Sequence, residues 1–108
     1  MALTIETTAL DEGGLLVSAV GEVDVSCASE LRDAIDAALA TDGVASVTVD
    51  LSQVPYIDST GIGVLVGSAH RAAEASCGFA VEGPQRNVRR VLDMLGISAE
   101  LGLSEPEA

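Results

Sequence analysis

The spacing of apolar positions along the chain switches between the two-residue period of a strand and the roughly 3.6-residue period of a helix. Residues Leu3 to Ala9 alternate weakly, with Leu3 and Ile5 set against Thr4 and Glu6. Asp11-Glu12-Gly13-Gly14 supplies turn residues and Leu15 to Val20 resumes an extended run, which predicts a hairpin. Gly21 to Ser26 reads as a loop ending in a cap residue. Leu31, Ile35 and Leu39 then fall four apart with Ala34 and Ala38 beside them, a helical stripe closed by Asp42-Gly43. Arg32 and Asp36 are expected at i,i+4 on its wet face.

Val44 to Leu51 predicts a strand, with Val47, Val49 and Leu51 on one face and Thr48 and Asp50 on the other. A helix is expected from the Asp58-Ser59-Thr60-Gly61 turn to about Ser76, burying Ile62, Leu65, Val66, Ala69 and Ala73. Gly78 to Gly83 reads as a short strand. Pro84 suits the first position of a last helix, whose apolar face is Val88, Val91, Leu92 and Leu95 before Gly96 stops it. From Ser98 the tail frays or makes a last short turn. The order predicts one α/β domain over residues 1–108, with three to four helices on a mixed sheet of four to five strands. An N-terminal hairpin would lead into right-handed strand–helix crossovers.

Composition narrows the chemistry. With one Phe, one Tyr and no Trp, the core must be built from Val, Leu, Ile and Ala. A net charge of −12 argues against nucleic acid and anionic membrane surfaces as partners. Lysine is absent, the five basic residues being Arg32, Arg71, Arg86, Arg89 and Arg90, so P-loop, Schiff-base and receiver-domain lysine chemistry is excluded. Cys27 and Cys77 lie outside metal-ligand or redox spacing and read as small buried residues of a reducing compartment. No signal peptide opens the chain and no apolar run reaches the roughly 18 residues of a membrane span, so a soluble cytoplasmic protein is expected.

The candidate chemistry gathers at two turns. Ser59 stands where a helix leaves a sheet edge, among unpaired N–H groups that carry partial positive charge. It can cap that helix or accept a phosphate; Asp58 and Thr60 are alternative caps. Gly61, Gly63 and Gly67 weaken the helix by up to about 1 kcal/mol each, which implies a close neighbour, either the sheet or a partner approaching Ser59. Asp24 follows a strand on the same sheet edge; it is a turn residue, or an acid that holds the Ser59 hydroxyl and repels a phosphate added to it. His70 reads as a solvated side chain, and Arg86, Arg89 and Arg90 as a wet face or a partner contact. Asp24 and Asp58 could share acid–base work in principle, but so small a chain leaves little surface for a substrate cleft. No catalytic residue, metal site or cofactor is expected.

Gly21-Glu22-Val23-Asp24, Ala28-Ser29-Glu30-Leu31, Val49-Asp50-Leu51-Ser52 and Tyr56-Ile57-Asp58-Ser59-Thr60-Gly61-Ile62-Gly63-Val64-Leu65, taken in order, resemble the STAS family of anti-sigma factor antagonists. Gly83-Pro84, Val88-Arg89-Arg90-Val91-Leu92 and Leu95-Gly96-Ile97 extend the likeness to nearly the whole chain. The resemblance implies that Ser59 is phosphorylated by an anti-sigma factor that is itself an ATP-dependent serine kinase. Unphosphorylated antagonist would bind that kinase and free a sigma factor; the phosphorylated form would not, until a phosphatase resets it. It makes Asp58 the flanking acid and Asp24 a neighbour on a partner surface that includes Thr60, Gly61 and Gly63. Other members of the family are scaffolds or subunits of lipid-transport or stress-signalling assemblies, and in that alternative Ser59 is only a cap.

Overall fold

The computed structural model describes residues 3–103. Strands β1 (Thr4–Ala9) and β2 (Gly14–Val20) form the expected hairpin, joined through a 3₁₀ turn at Asp11–Gly13. Helix α1 (Ala28–Leu39) crosses over to β3 (Ser46–Gln53), and α2 (Ser59–Glu74) crosses over to β4 (Gly78–Glu82). Both crossovers join parallel neighbours, so the sheet is mixed with order β1-β2-β3-β4. Helix α3 (Arg86–Met94) follows.

Register explains the layering. Leu15 pairs with Val47 and Val47 with Phe79; one step along, Val17 pairs with Val49 and Val49 with Val81. These rows share one face, and Leu31, Ile35 and Ala38 of α1 and Ile62, Leu65 and Ala69 of α2 join them in one core. The intervening residues point the other way, where Glu6, Ser18, Asp50 and Glu82 make a polar row across all four strands. A sheet covered on one face reads as alternation, which is why its strands were legible.

Several expectations are corrected. Ala73 is exposed and Ala72 buried, because Leu65 and Ala72 are two helical turns apart. Asp36 reaches across to α2, accepting from Arg71 Nε at 2.9 Å while Arg71 also donates to the buried Ser68, and Arg32 turns to Asp33. Helix α1 ends at Leu39, before Asp42-Gly43. Pro84 does not begin α3. Gly83 turns at φ +65, Gln85 stays extended as the N-cap, and Gln85 and Asn87 donate to the carbonyls of Ser52 and Pro55. Only Val88 and Leu92 of α3 turn inward, leaving Val91 and Leu95 exposed. From Ser98 to Leu103 the tail makes the short turn that was one of its two expected outcomes. Leu101 is buried and its carbonyl accepts from Val81 N at 2.8 Å, while Gly102 lies so close to β4 that a Cβ would sit 2.8 Å from the Phe79 carbonyl. Residues 104–108 of that tail lie outside the described residues.

Candidate functional site

The sheet's carboxyl edge brings the two turns together. Beyond a register shift at Ser18/Val20, Gly21 N donates to Gln53 O and Val23 bridges Ile57 in parallel. Val23 N donates to Tyr56 O at 3.0 Å, and Asp58 N donates to Val23 O at 3.0 Å. Val23 and Ile57 are buried beneath this bridge, so the residues that follow each are held side by side. The adjacency expected for Asp24 and Ser59 therefore rests on backbone bonds.

Asp58 is the N-cap of α2, its Oδ1 accepting from Gly61 N at 3.0 Å. The second oxygen, Oδ2, accepts from Val25 N at 3.1 Å across the bridge. One carboxylate thus caps one helix and pins the loop that enters the other. A helix start leaves four N–H groups without an intrahelical acceptor. Here Asp58 N and Gly61 N are taken, which leaves those of Ser59 and Thr60 at the tip. Ser59 occupies the first helical position, exposed, and its hydroxyl makes no hydrogen bond among the described residues. The open question of which residue caps α2 closes on Asp58, and the alcohol stands free.

Of the two readings open for Asp24, the structure takes the turn residue and not the acid that holds Ser59. Its Oδ1 accepts from Ser26 Oγ at 2.6 Å and from Ser26 N at 3.0 Å, so it holds Ser26 and not Ser59. Those bonds, the hydroxyl first, favour the charged form and lower the Asp24 carboxyl below its ordinary value of 3.8. Ser26 is not the cap of α1. Cys27 is the N-cap, without a side-chain cap bond, and the Asp24 carbonyl accepts from Cys27 N and Ala28 N in the turn that leads into the helix.

The glycines separate as well. A Cβ on Gly61 would lie 2.6 Å from Ile57 Cγ1 and 2.7 Å from Val23 Cγ1, so Gly61 is required by packing on the bridge. A Cβ on Gly63 would meet nothing within 4 Å. Gly67 faces the guanidinium of Arg71, 3.2 Å from its would-be Cβ. Cys27 and Cys77 are buried free thiols. His70 pairs with Glu100 and ties α2 to the final turn. Arg89 pairs with Asp93 on α3. Sequence reasoning missed Val25, Ser26 and Tyr56 as parts of this edge, although an apolar residue between Asp24 and Ser26 in a polar loop is a visible signal. Cavities of about 350 and 340 Å³ lie elsewhere, one between β4 and the final turn, the other along α3. Among the described residues no metal-ligand cluster occurs, and no helix is long and apolar enough to cross a membrane.

A mixed sheet with two strand–helix crossovers packed on its apolar face defines a fold class, and the comparisons agree with that fold. The Mlab, STAS domain family matches residues 6–103, and the chain belongs to that family. It is 30% identical over 105 residues to an anti-sigma-B factor antagonist of Staphylococcus aureus, covering 97% of this chain and 95% of the relative. A solved anti-sigma factor antagonist from Mycobacterium paratuberculosis superimposes with a TM-score of 0.80 at 26% identity, covering 97% of this chain and 87% of that one. The unphosphorylated form of the anti-sigma factor antagonist SpoIIAA superimposes at 0.78 with 17% identity, over 94% and 89% of the two chains, a likeness of fold.

Proposed function

We propose that this protein is an anti-sigma factor antagonist whose docking on an anti-sigma factor is switched by phosphorylation of Ser59. The observation that carries the reading is the free, exposed hydroxyl at the first position of α2, beside an N-cap that leaves two backbone N–H groups unclaimed. The relatives' names support an anti-sigma factor as the partner. In this reading that partner is a serine kinase that brings ATP and magnesium, and the two meet in the cytoplasm.

The switch needs no refolding. A phosphate adds about −1.5 to −2 charges where helix N–H groups accommodate an anion. A partner surface fitted to a neutral alcohol would have to desolvate that dianion, and an uncompensated buried charge costs several kcal/mol. About 3–4 kcal/mol weakens binding by two to three powers of ten. A phosphatase would restore the neutral state. Asp24, Asp58, Thr60 and Gly63 form the rim of the docking surface; Gly61 belongs to the packing beneath it.

Intact-mass measurement after incubation with Mg-ATP and each serine-kinase anti-sigma factor of the same genome tests the reading. One phosphate on wild type and none on Ser59→Ala is the expected result. Stable binding with no incorporation would sink the switch and leave a scaffold.

A further inference from the structure

Two apolar side chains flank the Ser59 turn with half or more of their surface in solvent. Val25 is 76% exposed and Tyr56 50% exposed. Both are fixed by backbone bonds: Val25 N donates to Asp58 Oδ2, and Tyr56 O accepts from Val23 N. Because the other Asp58 oxygen caps α2 at Gly61, a single carboxylate sets the spacing between Val25 and the Ser59 alcohol. Further along α2, Gly63 leaves a bare strip of helix over which nothing lies within 4 Å of a Cβ position. The adjacent Asp24 carboxylate, held by Ser26, adds negative charge on a chain of net charge −12.

We propose that Val25 and Tyr56 are the affinity anchors of this docking surface, and that Asp58 is the residue that positions Val25 relative to the acceptor alcohol. The occupant is the anti-sigma kinase, through a surface with apolar recesses beside its phosphate donor and a cationic rim. A small convex alcohol cannot supply much binding energy, whereas protruding aromatic and aliphatic side chains seated in pockets commonly dominate an interface. The charge of Asp24 and of the whole chain selects a basic rim by complementarity. This inference rests on the reading of Ser59 as acceptor. It adds that docking and phosphoryl transfer are carried by different residues, so loss of an anchor acts on KM and spares kcat.

The experiment measures steady-state phosphorylation of wild type, Val25→Ser and Tyr56→Ala by the kinase that modifies Ser59, with saturating Mg-ATP and increasing antagonist. The KM for antagonist is expected to rise about tenfold or more in each variant while kcat stays within about twofold. The melting temperature of Val25→Ser should match wild type, since Val25 is largely in water, and that of Tyr56→Ala should fall modestly, since Tyr56 is half-buried. Leu10→Ser, at an exposed position on the hairpin connection, should leave KM unchanged. Asp58→Asn, losing an acceptor for Val25 N, should raise KM, and combining it with Val25→Ser should add little, the sign of one shared interaction. Unchanged KM in Val25→Ser and Tyr56→Ala, with wild type still phosphorylated, overturns the anchors and leaves the switch standing. A KM effect from Met94→Ser alone, 79% exposed on α3, places docking there and overturns them too. Failure of every such kinase to bind or modify wild type removes both readings.

Discussion

The turns at Asp24 and at Asp58 are made of the same parts: a strand end, an aspartate whose carboxylate folds back onto the chain, a hydroxyl residue and a helix. In the first, the carboxylate grips the hydroxyl of Ser26 and the N–H beside it. In the second, it bypasses Ser59 and spends its oxygens on Gly61 N and Val25 N. Ser26 is therefore an alcohol already bonded, and Ser59 an alcohol left to solvent. In the proposed switch the acceptor is the serine whose neighbouring cap finds its donors elsewhere.

Replacing each serine in turn by alanine tests that contrast with the largest expected effect. Ser59→Ala should abolish phosphate incorporation, while Ser26→Ala should leave it at the wild-type level, read as intact mass after kinase and Mg-ATP. A phosphate mapped by peptide fragmentation to Ser26 would show that the internal hydrogen bond does not protect it.

The glycines of the second turn come next. Gly61→Ala drives a Cβ into Ile57 and Val23 and should cost about 1–3 kcal/mol by overpacking. Gly63→Ala meets open space and should stabilise the chain by about 0.5–1 kcal/mol. Urea denaturation of the pair checks both signs at once; equal effects would mean that the bridge beneath Gly61 yields. Asp58→Ala follows, losing the side-chain N-cap of α2 at about 1 kcal/mol, and a midpoint equal to wild type would show that water replaces the carboxylate.

Much of this edge was legible beforehand, because local chemistry writes it. The apolar run that ends at Leu51 and the helical period from Ile62 bracket the Ser59 turn, and an Asp before a Ser is a cap signal at short range. The bond from Val25 to Asp58 was not legible. It joins residues 33 apart and depends on how β2 and β3 extend past their register shift. The Asp36–Arg71 pair between helices escaped for the same reason. Leu101 was missed because one leucine in a short tail has no period to announce that it is buried. For Asp24 the sequence leaves a turn residue and a Ser59 contact both open, since proximity of turns follows from topology but the direction of a carboxylate does not.

The smallest effect concerns that direction. Hydrogen bonds from Ser26, the hydroxyl first, lower the folded-state pKa of Asp24 below its ordinary 3.8. A depressed folded pKa means that the unfolded chain takes up the proton more readily. The charged carboxylate therefore favours folding above the ordinary value, and that contribution is lost as pH falls through the folded value. Wild type should lose melting temperature slightly more steeply than Asp24→Asn between about pH 5 and pH 3. The carboxyl is open to solvent, so a direct titration is the sharper measurement. The Asp24 side-chain carbon, followed by NMR, should give a midpoint below 3.8 that moves up towards it in Ser26→Ala. No such movement would mean that Ser26 does not hold the charge, and the first turn would then differ from the second far less than its geometry implies.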